Sequence, residues 1–518
     1  MPASSWKAWP KMEDGAFSEQ DLAQIEEHGL SVESVELQLE RFKRGPLYVQ
    51  LLRPCLLGDG IRQLSTAEIQ ACQENYRRAA DQGRAMKFVP ASGAGSRMFH
   101  KFMEGWHGRV DDELAAALRR LHAYPFYPAL REKMLQSGLS LEQSLAQNDF
   151  APVLEYLLGP QGLGYAAVPK GLIDFHLEPD GARSALEEQA AEAAELTADR
   201  EGRARIHFTV PVRYRQAIRD HLASAAGRLA KGGRILEITD SIQEASTDTI
   251  AADENNLPFR DRQGRLVFRP AGHGALLENL QKLGGDVVFI KNIDNVAPAR
   301  LRQSRLNWER SLGGLLVELQ SEAFDRLRRL EAGESANGLE ESSEALIQAF
   351  GGAAPAEWHH LSLKQKADWL YAGWNRPIRV AGMVPNQGEP GGAPFWARDG
   401  QGRISAQIIE SVQVDPSSDE QQRIFHASTH FNPVLLACGL RDFKGLPFDL
   451  RAFADTEAGF LSLKSFQGKP LKALELPGLW NGSMAYWNTV FVEIPIETFT
   501  PVKTVDDLLR PEHRSAPL

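Results

Sequence analysis

Cysteine is scarce: three thiols in 518 residues, Cys55, Cys72 and Cys438, far apart and without a CxxC pair. That spacing excludes a disulfide framework and a thiolate zinc site. Basic residues are in deficit, 58 Lys and Arg against 68 Asp and Glu, for a formal net charge of −10. A protein that coats nucleic acid through bulk charge needs the opposite balance, so no nucleic-acid partner is expected. A local basic pocket for a single nucleotide is still allowed. Long apolar runs are missing as well; none approaches the roughly 18 residues of a bilayer span, and no membrane partner is expected. The opening Met1-Pro2-Ala3-Ser4-Ser5-Trp6-Lys7 lacks the apolar stretch of a secretory signal. A reducing setting, the bacterial cytoplasm, is the expectation.

What is present is ordinary globular sequence, 43 % hydrophobic and 24 % charged. The length suits roughly three domain-sized units, or one large core with insertions. Residues 1–85 read as a polar helical region, with helix-period spacing over Asp21–Glu27, Val32–Arg44 and Thr66–Asp81. Met86–Pro90 then reads as a buried strand, and Asp111–Leu158 as a helical insertion, about residues 100–165, broken at Tyr124–Pro128. Strands Arg205–Val210 and Asp286–Ile290 alternate with helices Ser184–Thr197 and Tyr214–Leu229, so residues 86–300 read as an α/β core. Residues 301–375 form a helical insertion carrying Leu312, Leu315, Leu316, Leu319 and Leu327, followed by a polar run, Glu331–Glu344, that reads as a surface loop. Residues 376–518 return to strands at Ile378–Val380, Ile404–Val414 and Thr489–Ile494. The fold class is α/β, a mixed and mostly parallel sheet with helices on both faces and helical additions.

Six segments carry candidate chemistry. In Phe88 to Met98 a strand runs into the loop Ser92-Gly93-Ala94-Gly95-Ser96-Arg97 and then a helix. Glycines admit a phosphate close to the backbone, a helix N-terminus presents N–H groups, and Arg97 adds a cation that keeps its proton. A plain strand-to-helix turn has the same composition. The segment fits neither a P-loop nor G-x-G-x-x-G. The second is Pro169-Lys170-Gly171, a surface turn or a cation facing the same phosphates. Next comes Pro270-Ala271-Gly272-His273-Gly274, another Gly loop that opens a helix. The fourth, Ile293-Asp294-Asn295, ends a hydrophobic strand, where a carboxylate suits Mg²⁺ held through phosphates and water, or a turn cap. Asn481-Gly482 and Phe499-Thr500-Pro501-Val502-Lys503 complete the set.

In this order the six resemble the sugar-nucleotide pyrophosphorylases, in particular the UDP-N-acetylhexosamine and UDP-glucose branch. That branch has Gly-Gly-x-Gly-Thr-Arg, Pro-Lys-Gly, Pro-x-Gly-Asn-Gly, Val-Asp-Asn, an Asn-bearing segment and Phe-x-Pro-x-Lys. The wording of Phe268–Leu280, Val288–Val296 and Gly478–Val492 also resembles a bacterial family known only as domain of unknown function 4301. The first resemblance implies a nucleotide-diphospho-sugar transferase-like, Rossmann-like fold. It implies a Mg²⁺-dependent nucleotidyltransferase joining a nucleoside monophosphate to a phosphorylated sugar or polyol, with release of pyrophosphate; UTP, giving UMP, is the donor the resemblance favours, and GTP, CTP and ATP stay open. Ser92, Gly93, Gly95 and Ser96 would hold the triphosphate, Arg97 its β- and γ-phosphates and Lys170 its α-phosphate. Gly272, His273 and Gly274 would border the base, Asp294 with Asn481 would bind Mg²⁺, and Lys503 would meet the sugar phosphate. Ser92 replaces the first Gly of the pattern, and His273 stands where the uridylyl branch has Asn.

For the sugar, the resemblance implies Glu410 and Asn481, while the loop Pro385–Trp396, with Glu389, suits either hydroxyl binding or a tight structural turn. His426 and His430, four apart, are near enough to share a helix face and a metal, but no third ligand is evident. Glu357-Trp358-His359-His360 reads as the start of a helix. Two alternatives keep the fold: glycosyl transfer from a nucleotide sugar, and a non-catalytic nucleotide-sugar-binding protein. The single carboxylate of Ile293-Asp294-Asn295 sets the chain apart from the Asp-x-Asp of most glycosyltransferases. No oligomeric state is read from the sequence.

Overall fold

A computed structural model describes residues 17–514 apart from 230, 389, 390 and 401. The opening Met1–Lys7 segment and Glu389 therefore lie outside the described residues. The centre is a sheet built from β1 (Leu56–Leu57), β2 (Gly60–Arg62), β3 (Ala85–Pro90), β4 (Arg203–Thr209), β5 (Ile235–Ser241), β6 (Val287–Lys291), β7 (Ile378–Pro385), β8 (Leu435–Gly439) and β9 (Asn488–Glu493). Their spatial order is β1-β2-β9-β7-β8-β6-β3-β4-β5. β8 runs antiparallel to β6 and β7, and the other neighbours are parallel.

The middle strands are apolar on both faces, because successive side chains point to opposite sides and both sides are covered. Val287, Phe289, Val380 and Ala437 join one cluster; Val288, Ile290, Ala381 and Leu436 join another. Helices α1 (Thr66–Asp81), α2 (Ala185–Leu196), α3 (Leu276–Lys282) and α4 (Ala299–Glu331) supply the cover. α4 contributes Leu312, Leu315, Leu316, Leu319 and Leu327 to the first cluster, while α3 contributes Leu276, Leu277 and Leu280 to the second. Where α4 crosses α1 the backbones nearly touch: a Cβ at Gly314 would lie 1.7 Å from the Cys72 carbonyl oxygen. The fold is thus the expected mixed, mostly parallel α/β sheet with helices on both faces.

Between β3 and β4 lie helices Asp112–Arg119, Tyr127–Gln136, Leu141–Ala146 and Phe150–Leu158, with Pro128 tolerated in a first helical turn. Three local expectations change. The polar run Glu331–Glu344 is largely helical: Ser335 caps a helix over Ala336–Phe350 that buries Leu339 and Leu346. The Ile404–Val414 strand stops at Ile409, where Glu410 opens a 3-10 turn over Ser411–Gln413. Residues 50–62 are extended rather than helical; Gln50–Pro54 pairs with Ala393–Arg398, and β2 pairs with β9. The three cysteines are free and buried. Among the described residues no helix is long and apolar enough to cross a membrane.

Candidate functional site

β3, β4, β5 and β6 are parallel, so the loops that follow them gather at one sheet edge. The loop after β3 is stitched to a distant segment: Gly95 N–H donates to Val168 O (3.1 Å) and Lys170 N–H to Gly93 O (3.0 Å). This pairing delivers Lys170 to the glycine loop across the whole helical insertion. A second stitch joins the end of β6 to the C-terminal segment, through Val502 N–H to Asp294 O (3.1 Å) and Thr500 N–H to Asn295 Oδ1 (3.1 Å). That one brings Lys503 in.

Between these loops lies a cleft of about 590 Å³. Ser92, Gly93, Arg97 and Lys170 form one wall; Asp294 and Lys503 form the floor and rim; Gly272 and His273 close the far side. Five of the six sequence segments therefore meet here. Gly93 is open, with nothing within 4 Å of an added Cβ, whereas Gly95 and Gly274 are packed against backbone. At Gly95 a Cβ would meet Ile173 Cδ1 at 2.7 Å, and at Gly274 the Pro477 carbonyl oxygen at 2.2 Å. These two shape their loops and do not line the cleft. Ser96 likewise starts the 3-10 turn Ser96–Phe99 behind the lining.

The charged centre is a buried carboxylate shared by two lysines. Lys170 Nζ donates to Asp294 Oδ2 at 2.9 Å and to Val502 O at 2.6 Å; Lys503 Nζ reaches the same Oδ2 at 3.2 Å. Burial alone would raise the Asp294 carboxyl, but Lys170 and Lys503 outweigh it and hold the pKa below the usual value. Burial lowers the Lys170 ammonium; Asp294 opposes that shift, and the positive Lys503 and Arg97 add to it. Arg97 itself is exposed and has no ion pair among the described residues.

His273 is held as a flat wall. Its Nδ1 accepts from Leu479 N–H (3.0 Å), which leaves the ring proton on Nε2, 3.9 Å from Glu410 Oε1. The ring stacks on Trp480 with centroids 4.2 Å apart, and the indole N–H donates to Glu410 at 3.3 Å. Burial lowers the His273 pKa against the pull of Glu410 and Glu475, so the ring is neutral. Glu410 thus braces His273 and Trp480 and is not in the lining. Asn481 is buried in the same segment, bonded through Nδ2 to Gln413 Oε1 (3.0 Å), and it too stays out of the cleft.

Three lining residues with hydrogen-bonding side chains carry no role in the sequence reading: Gln243, Asn292 and Trp480. Gln243 follows β5, and its buried Nε2 has no hydrogen-bond partner among the described residues. The signal for it was weak. Ile235-Leu236-Glu237-Ile238-Thr239-Asp240-Ser241 has only three apolar residues and ends on three polar ones, and only its parallel pairing with β4 puts the next loop at the shared edge. The histidine pair separates: His426 ends the helix Asp419–His426, and His430 lies in the strand His430–Phe431. Helical spacing therefore does not apply to them. Among the described residues no group of three metal-ligating side chains forms.

A family model described as a domain of unknown function (DUF4301) matches residues 18–514. The chain belongs to the DUF4301 family. No curated protein matches it. Solved structures similar to this DUF4301 protein include a uridine diphosphate N-acetylglucosamine pyrophosphorylase from Trypanosoma brucei in complex with an inhibitor. That similarity has 13 % identity and a TM-score of 0.48, and covers 95 % of this chain and 79 % of the other. A mutant UDP-glucose pyrophosphorylase from Leishmania major in complex with UDP-glucose matches at 11 % identity and a TM-score of 0.46, over 97 % and 80 % of the two chains.

Whether the DUF4301 cleft suits Mg²⁺ turns on Asp294. Both lysines meet Oδ2, which leaves Oδ1 without an ion pair or hydrogen bond among the described residues. One carboxylate is enough for a cation that keeps its waters and takes phosphate oxygens as its other ligands. The donor set therefore fits a substrate-carried Mg²⁺ and not an all-protein cage. Asn481 does not line the cleft and is not part of that set; its Nδ2 donates to Gln413, and its buried Oδ1 has no hydrogen-bond partner among the described residues.

Proposed function

We propose that the cleft binds a nucleoside triphosphate and a sugar or polyol phosphate and joins them as a nucleotidyltransferase. A phosphate oxygen of the sugar phosphate attacks the α-phosphorus; the bond from that phosphorus to the bridging oxygen breaks, and pyrophosphate leaves. A phosphate monoester has a second pKa of about 6, so at neutral pH the nucleophile needs no general base. Rate enhancement then rests on alignment and on charge neutralisation in a partly dry cleft. The residues divide that work. Gly93 admits the triphosphate to the backbone, Arg97 meets its outer phosphates, and Lys170 faces the α-phosphate. Lys503, the more exposed lysine, receives the incoming phosphate. Mg²⁺, held by Asp294 Oδ1 and the phosphates, would supply further neutralisation of the leaving group. His273 and Trp480 offer a flat neutral wall, and the unpaired Gln243 amide a donor, for the base; UTP is the donor that the motif resemblance favours.

The observation that carries this reading is the convergence of Lys170 and Lys503 on one carboxylate, with Arg97 in the same cleft, beside an open glycine loop. Two lysines on a single buried Asp leave surplus positive charge, which polyphosphate would neutralise. The test is pyrophosphate release from UTP, GTP, CTP or ATP with a panel of sugar 1-phosphates and Mg²⁺. Lys170→Met is expected to lower turnover at least 100-fold with the protein still folded by circular dichroism. Full activity in Lys170→Met, or no turnover with any pair, would overturn the proposal.

A further inference from the structure

A second cleft, of about 780 Å³, opens away from the strand-end site and shares no lining residue with it. Its walls come from the helix Ala336–Phe350, the helix Leu363–Trp374, the strands Ala393–Arg398 and Ile404–Ile409, and the start of β9. That volume is within the usual range for small-molecule sites and far larger than an inorganic ion needs. Its polar lining is one-sided: three arginines, Arg53, Arg376 and Arg403, against one carboxylate, Asp399.

The three guanidinium groups are not equivalent. Arg53 pairs with Asp59 (2.9 Å) and lies over Trp396; Arg403 pairs with Asp399 (2.7 Å) and lies over Tyr486 at 4.6 Å. Arg376 has no carboxylate partner among the described residues. Its Nε–H donates to Ala372 O (2.8 Å) at the end of a helix, which leaves both Nη groups without a hydrogen bond among the described residues. Burial disfavours its charge, and Arg403 adds to that effect. A second donor stands unmatched nearby. Trp487 is 4 % exposed, and its indole N–H has no partner among the described residues, an arrangement that native interiors rarely leave unused. Leu346, Phe350 and Trp369 supply apolar wall on the other side.

We infer that this cleft is a binding site for a small organic anion, with a phosphate or carboxylate head at Arg376 and Trp487 Nε1 and a ring-sized apolar body against Phe350 and Trp369. The head oxygens accept from the guanidinium Nη groups and the indole N–H, which pairs the surplus donors with acceptors. The body is needed because an inorganic ion would leave the apolar wall wet.

The test is calorimetric titration of the full chain with phenyl phosphate, benzoate, inorganic phosphate and benzyl alcohol. Saturable binding of phenyl phosphate or benzoate, at least tenfold tighter than inorganic phosphate or benzyl alcohol, is expected; which of the two binds tighter identifies the head group. Arg376→Gln is expected to weaken it at least tenfold, and Trp487→Phe, which keeps an aromatic ring of smaller size and removes the N–H, several-fold. Lys170→Met is expected to leave it unchanged. No saturable binding, equal binding of the neutral alcohol, or loss in Lys170→Met instead of Trp487→Phe would overturn the inference. If Arg376→Gln fails to fold, the Trp487→Phe and Lys170→Met pair decides.

Discussion

Lys170 shows what a single residue gains from its place. In the sequence it is one lysine between Pro169 and Gly171; in the structure it is a largely buried ammonium between Asp294, Val502 O and the glycine loop. Burial is the largest influence on its pKa, and it acts downward. A pH profile of kcat/KM reports free-enzyme groups. Its alkaline limb is therefore expected below the ordinary lysine value of about 10.4. Lys170→Arg keeps a cation that holds its proton, so the limb should move upward even if the plateau rate falls. An unmoved limb would assign it to another group. His273 was legible as part of a Gly loop, but the Leu479 N–H that bonds its Nδ1 and the Trp480 ring stacked on it come from 206 and 207 residues further along the chain by number.

At the scale of elements, the site rests on a buried ionic joint between strands and helices. Lys87 on β3 and Lys291 on β6 both reach Glu192 on α2, and Lys291 also reaches Glu309 on α4 at 2.7 Å. All four side chains are at most 3 % exposed. Burial would raise the Glu192 carboxyl, but Lys291 and Lys87 outweigh it and keep it ionised. Removing one partner of such a joint strands the others, a loss of about 3–5 kcal/mol. Glu192→Gln should therefore lower the urea midpoint, with the slope of the transition retained. A change below 1 kcal/mol would mean that water or Glu309 replaces it. The joint was not legible: Lys87 and Lys291 interrupt otherwise apolar strands, and no local pattern says which helix answers them. The same holds for Ala336–Phe350. Its Leu339 and Leu346 keep helix period, but Glu and Ser fill positions 340–344 between them, and only packing beneath Trp374 shows an inner face.

For the whole molecule, closure of the sheet is the controlling fact. β8 and β9 come from the last sixth of the chain, yet β8 covers β6, the strand that leads into Asp294. A fragment of residues 86–300 would expose that edge and lack both α4 and Lys503. It is expected to show no cooperative denaturant transition, as followed by circular dichroism. A sharp transition near that of the full chain would show that the first half closes its own core. What the sequence determined by itself is local: the strand before Ser92-Gly93, the amphipathic α4, the terminal lysine segment, and the ordered motifs that make a polyphosphate cleft thinkable. Those signals survive because side-chain periodicity and glycine conformation act over a few residues. Only the tertiary structure decided that Lys170 and Lys503 share one oxygen of Asp294, that Gly95 and Gly274 are packed and Gly93 open, and that Asn481 turns away to Gln413. These outcomes depend on hydrogen bonds between segments far apart in the chain, such as that from Lys170 Nζ to the Val502 carbonyl 332 residues on, and on desolvation by the assembled sheet, which no stretch of sequence specifies alone.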